Sequence, residues 1–197
     1  MTAQTIFGAM HGLETLTQLV EVQSLQSSSL ATIPHAPVQI DDAPRLPFRG
    51  LMIDSGRHFL PTSHVKHAIE AAAMVKLNVI HWHLVDSSSF PTCSDAFPLL
   101  CQEGAYPNAD HPGLPLPAGV PKAVYTPDEL KEVVSFAKEH GVQIQPEWDM
   151  PGHGSWGMGM PELMTTACRD ALGWPRRSRR RWWAPPSPRA PSSSAAV

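Results

Sequence analysis

Three short strand-like runs alternate with helical patterns, and this alternation constrains the fold more than any other feature of the chain. The first run, Gly50-Leu51-Met52-Ile53-Asp54, precedes a helix opened by Pro61-Thr62-Ser63, whose apolar face is Val65, Ala68, Ile69, Ala72 and Val75. Leu77-Asn78 ends that helix, and Val79 to Val85 follows as an apolar run suited to a parallel strand covered on both faces. Thr126-Pro127-Asp128-Glu129 is a capping box that opens a second helix through Leu130, Val133, Val134 and Ala137, which Gly141 stops. Val142 to Gln145 is the third strand. The expectation is an α/β fold with a parallel sheet, whose functional residues collect just past the carboxyl ends of the strands.

Each strand end carries such residues. Asp54-Ser55-Gly56-Arg57-His58 follows the first, His81-Trp82-His83-Leu84-Val85-Asp86 closes the second, and Glu147-Trp148-Asp149-Met150-Pro151-Gly152-His153 closes the third. Arg57 has a planar donor fork suited to vicinal hydroxyls or a carboxylate, and equally to a salt bridge. His81 and His83 share one strand face while Trp82 points away. With His153, Glu147 and Asp149 they offer ligands for a divalent metal, so a metal-dependent hydrolase using His81, His83 and His153 is a rival reading. Asp149 and His153 stand four apart across a tight turn, where the carboxylate can return to the imidazole and fix its tautomer.

The remainder is less regular. Ile6, Met10, Leu13, Leu16, Leu19 and Val20 recur at helical steps between Thr5 and Val22, predicting a helix with a buried stripe. Ser24 to Pro47 reads as a connection, and Asp86 to Val124 as a loop long enough to serve a site. Three cysteines, Cys93, Cys101 and Cys168, permit one pair and one free thiol but no disulfide framework or zinc ribbon. Up to Ala171 nine basic residues face eighteen acidic ones, whereas the last stretch holds six arginines and no acid. That stretch, rich in Pro, Ser and Arg and carrying Trp174, Trp182 and Trp183, reads as disordered. Nothing else in the chain supports a nucleic-acid partner, and no apolar run reaches a membrane span or resembles a signal peptide.

Together, the segments Arg49 to Pro61, Lys76 to Asp86 and Glu147 to Gly157, preceded by Gly8 to Leu19, resemble glycoside hydrolase family 20, the β-N-acetylhexosaminidases. The resemblance implies a partial (β/α)₈ TIM barrel of about three βα units over 47–171. Residues 1–46 would then be the end of a preceding α/β domain, with a disordered basic tail over 172–197. Such a barrel normally needs about 250 residues.

The resemblance also implies residue roles. Arg57 would bind hydroxyls of the non-reducing sugar, with His83 and Glu147 as further substrate-binding residues. Asp86, Asp149 and His153 would form a supporting network behind the general acid. Ser87 departs from the pattern, because many relatives have a second aspartate there. The mechanism implied is substrate-assisted and retaining, with the sugar's 2-acetamido carbonyl as nucleophile. The family's Asp-Glu doublet is expected at a fourth strand end. The one Asp-Glu pair here, Asp128-Glu129, belongs to the capping box, so this chain is expected to be inactive alone, and a non-catalytic interaction fragment is the other alternative reading beside the metal-dependent hydrolase. No cofactor is implied. The partners implied are glycans ending in N-acetylglucosamine or N-acetylgalactosamine, with homodimers possible in full-length relatives, which are commonly lysosomal, vacuolar or secreted.

Overall fold

The computed structural model describes residues 1–25, 28–105, 123–154 and 156–160. In chain order these form α1 (Ile6–Gln18), β1 (Glu21–Leu25), β2 (Ser28–Thr32), β3 (Gly50–Asp54), α2 (Thr62–Met74), β4 (Val79–His83), α3 (Leu99–Gly104), α4 (Pro127–Glu139), β5 (Gln143–Glu147) and α5 (Trp156–Gly159). The chain divides into two compact units. One comprises Met1–Ser55, Leu60–His83 and Pro127–Glu147; the other comprises Gly56–Phe59, Leu84–Thr126 and Trp148–Val197 so far as it is described. Among the described residues no helix is long and apolar enough to cross a membrane.

The first unit is built on a parallel sheet of order β3-β4-β5. Its register is pinned at the start of β3 and β4: the Asn78 side chain accepts from the Arg49 backbone N–H at 2.9 Å and donates to the Pro47 carbonyl at 2.8 Å. Gly50 is thereby set opposite Val79. Ile53, Ile80 and Trp82 are buried with Val65, Ile69 and Ala72 of α2 and Val133 and Ala137 of α4, the apolar stripes that the helical spacing foretold. Pro127 occupies the first helical position with Asp128 and Glu129 in the first turn, where acids complement the helix dipole. Gly141, at φ 71°, turns the chain from α4 into β5 in a conformation that disfavours side chains.

Several expectations need correction. Val75 is 67% exposed because it is the residue that caps α2, past its last turn, and Val134 is 50% exposed because the buried stripe of α4 runs through Val133 and Ala137. Helix α2 ends at Met74, and Lys76 takes a left-handed φ of 60° before the strand. The second strand stops at His83, not Val85. The N-terminal helix forms, with Thr5 Oγ1 accepting from Gly8 N at 3.0 Å, but none of its residues is buried; Ile6, Phe7, Leu13 and Leu16 stay exposed. Part of the segment read as a connection is an antiparallel pair, β1 with β2. Its sequences, Glu-Val-Gln-Ser-Leu and Ser-Ser-Leu-Ala-Thr, carry too few apolar residues to show a strand pattern.

In the second unit the long segment after Asp86 is not structureless. It contains α3, tied back by the Cys93–Cys101 disulfide and by the Phe90 N–H, which donates to the Gly104 carbonyl; ahead of it, reciprocal backbone bonds join Asp86 and Ser89. The pair is thus Cys93 with Cys101. Cys168, the basic tail and its tryptophans lie outside the described residues.

Candidate active site

The second unit brings together three of the residues singled out in the sequence. Gly56 and Arg57 follow β3, and the backbone at Gly56 runs so close to the chain after β4 that a Cβ there would lie 2.6 Å from the Val85 carbonyl carbon and 2.7 Å from Asp86 N. A glycine is therefore required for Arg57 to reach Asp86. Arg57 Nη2 stands 2.9 Å from Asp86 Oδ2, and His153 Nδ1 stands 3.2 Å from the same oxygen. The other oxygen of Asp86 accepts from Ser87 N at 2.7 Å, so the serine that replaces an expected acid contributes its backbone. Asp86 is 5% exposed, whereas the Arg57 side chain is 46% exposed and that of His153 60%. A buried carboxylate thus holds two solvent-facing donors.

The tautomer of His153 follows from this geometry. A carboxylate only accepts, so the bond to Asp86 requires a proton on Nδ1. An N–H at that position cannot accept from Arg57, and the 3.4 Å approach of Arg57 Nη2 is a charge contact alongside. In the neutral ring, Nε2 then carries the lone pair, which suits it to bind or tune the proton of a neighbouring acid. His153 adopts a left-handed φ of 52°.

The expected bond between Asp149 and His153 does not form. Asp149 Oδ1 accepts from Met150 N at 3.0 Å, one residue away, while its carbonyl accepts from Trp156 Nε1 at 2.9 Å. The nearest backbone donor captures the carboxylate, and the imidazole turns to Asp86 instead.

In the first unit, β4 and β5 place His81, His83 and Glu147 together. Trp82 points to the opposite face and donates to Ser55 Oγ at 2.9 Å. Glu147 Oε2 bonds His81 Nε2, and Glu147 Oε1 lies 3.4 Å from His83 Nδ1. His83 is only 3% exposed. The histidines of the metal reading are therefore divided: His81 and His83 are turned on Glu147, and His153 on Asp86.

Desolvation works against the Glu147 carboxylate, but hydrogen bonding and charge from His81, then from His83, outweigh it and hold this carboxyl below its ordinary value of 4.5. A carboxyl depressed in the folded state favours folding above its ordinary value, and that contribution is lost as pH falls through the folded value. The urea midpoint should therefore drop as pH is lowered below about 4.5, and Glu147→Gln should flatten the drop. An unchanged pH profile in the variant would show that Glu147 is not coupled to folding.

A family model described as "Glycosyl hydrolase family 20, catalytic domain" matches residues 46–188, more than half of the chain. Beta-hexosaminidase subunit A1 of Dictyostelium discoideum is 39% identical over 171 residues, covering 86% of this chain and 29% of its own length. Beta-hexosaminidase subunit alpha of Bos taurus is 39% identical over 166 residues, covering 84% and 28% respectively. Among solved structures, the Flavobacterium johnsoniae chitobiase superposes with a TM-score of 0.63 at 38% identity, over 79% of this chain and 21% of that one. The GH20 exo-beta-N-acetylglucosaminidase of Vibrio harveyi, in complex with N-acetylglucosamine, gives 0.64 at 31% identity, over 81% and 25%. The chain spans less than a third of the length of these relatives.

Proposed function

The chain belongs to glycosyl hydrolase family 20, and from that premise we propose that its residues form the sugar-pocket part of a β-N-acetylhexosaminidase active site. The substrate class is a glycan with a terminal non-reducing N-acetylglucosamine or N-acetylgalactosamine in β linkage. The observation that carries this reading is the convergence of Arg57 and His153 on buried Asp86. In the accompanying architecture, 47–171 supplies three βα units of a (β/α)₈ barrel and 1–46 closes a preceding α/β domain.

Arg57 has a geometric role: its fork of donors, held by Asp86, meets a pair of ring hydroxyls at fixed spacing. Asp86 and His153 form a dyad that leaves Nε2 to support the proton of an acid donor. Asp149 anchors the turn that carries His153, through Met150 and Trp156. For His83 and Glu147 the family resemblance alone supports a substrate-binding role. The acetamido group of the sugar supplies the nucleophile, so no second carboxylate is needed for attack at the anomeric carbon.

Direct titration tests the reading. N-acetylglucosamine should bind, and Arg57→Ala should weaken that binding by about 10-fold or more, as expected for losing charge-assisted bonds of roughly 1.5–3 kcal/mol. Equal binding by the variant, measured by ligand-observed NMR, would remove Arg57 from the sugar site.

A further inference from the structure

Each arm of the Arg57, Asp86 and His153 cluster is followed within four residues by an aromatic ring: Phe59, Phe90 and Trp156. Phe59 stacks on Tyr125 with ring centroids 4.7 Å apart, and Phe90 meets Trp156 edge-on at 4.8 Å. Both contacts lead to one segment. Tyr125 is fully buried and strapped to residues 91–93, its N–H donating to the Pro91 carbonyl at 2.7 Å while its carbonyl accepts from Cys93 N at 2.9 Å. Phe90 N donates to the carbonyl of Gly104, the last residue of α3, at 2.7 Å. The disulfide from Cys93 to Cys101 then joins the strap to α3.

We infer that the Cys93–Cys101 disulfide is a positioning element for the site. By closing the segment between strap and helix it keeps Tyr125 and Phe90 seated, and through Phe59 and Trp156 it keeps Arg57 and His153 on Asp86. Without the cross-link, α3 has six residues and no side-chain cap at its start, and a helix of that length does not hold itself in water. The rings would then lose the platform against which they pack. Cys93 is half-buried, so a small dithiol can reach it. Reduction delivers two electrons and two protons, yields the two thiols, and leaves the reagent as its own disulfide.

The inference deepens the site reading proposed above, yet its test reads imidazole geometry and not sugar binding, so either can fail alone. The full chain is labelled with ¹⁵N-histidine and examined by long-range ¹⁵N–¹H correlation, at a pH above the ordinary histidine value of about 6.5. In the oxidised protein His153 should appear as the Nδ1–H tautomer. After dithiothreitol, with a gain of two thiols over the oxidised chain confirmed by titration, it should move to a mixture dominated by Nε2–H while the far-UV circular dichroism is kept. Cys93→Ser/Cys101→Ser should reproduce the shift without reductant, and Phe90→Leu should produce it with the disulfide intact. A fully reduced protein whose His153 stays Nδ1–H overturns the inference. So does loss of the whole fold on reduction, which would make the bond a general staple.

Discussion

The purified 197-residue chain should turn over a chromogenic β-N-acetylglucosaminide at least about 10²-fold more slowly than the same chain extended by a strand bearing the expected Asp-Glu doublet. Hydrolysis with the acetamide as nucleophile still needs an acid to protonate the leaving oxygen and a carboxylate to orient the acetamide. The one Asp-Glu pair in the chain stands in the first turn of α4. The Asp128 side chain there is 91% exposed and pairs with Lys131 at 2.9 Å, which fits a helix start and provides no enclosed proton donor. The Asp86–His153 dyad can tune a neighbouring acid but holds its own Nδ1 proton on a carboxylate. General acid catalysis alone is worth on the order of 10² to 10⁴ in rate. Comparison of kcat/KM for the two chains decides the point: values within about tenfold would mean that another acid does the work.

The parts of this molecule legible in the sequence are those set by local periodicity and punctuation. Strands β3 and β4 are marked by short apolar runs, β5 by its place after Gly141 in the strand–helix alternation, and α4 by Pro127 at its start and Gly141 after its end. The strand ends marked Arg57, Asp86 and His153 as a group because a parallel sheet delivers its carboxyl ends to one side. Pairings at long range were not legible. His153 bonds Asp86, 67 residues away, while Asp149 Oδ1 accepts from its own next N–H. Cys93 with Cys101 could not be singled out from three cysteines, and α3 depends on that pairing more than on any pattern of its own. The β1–β2 pair escaped notice because Glu21–Leu25 and Ser28–Thr32 carry too few apolar residues to show a strand pattern. Val75 and Val134 lie at helical spacing, yet Val75 falls just past the end of α2 and Val134 faces away from the buried arc of α4.

Asp86→Ala should be the most damaging single substitution in the second unit. Its carboxylate is 5% exposed and receives Arg57, His153 and the Ser87 backbone, so removal leaves a guanidinium without its counter-charge and a backbone N–H without its acceptor. Breaking a fully buried pair costs about 3–5 kcal/mol. Arg57 and His153 are about half exposed, and water recovers part of that loss, so roughly 2 kcal/mol is expected. Asp86→Asn should cost less, because the amide oxygen can still accept one donor, but it cannot balance the charge of Arg57. In Asp86→Ala His153 should lose its fixed Nδ1–H tautomer, because the acceptor that holds the proton there is gone. Urea unfolding of the two variants beside the parent chain tests the stability ranking. A change below about 0.5 kcal/mol for Asp86→Ala, the range of an ordinary surface substitution, would show that the carboxylate does not organise the site.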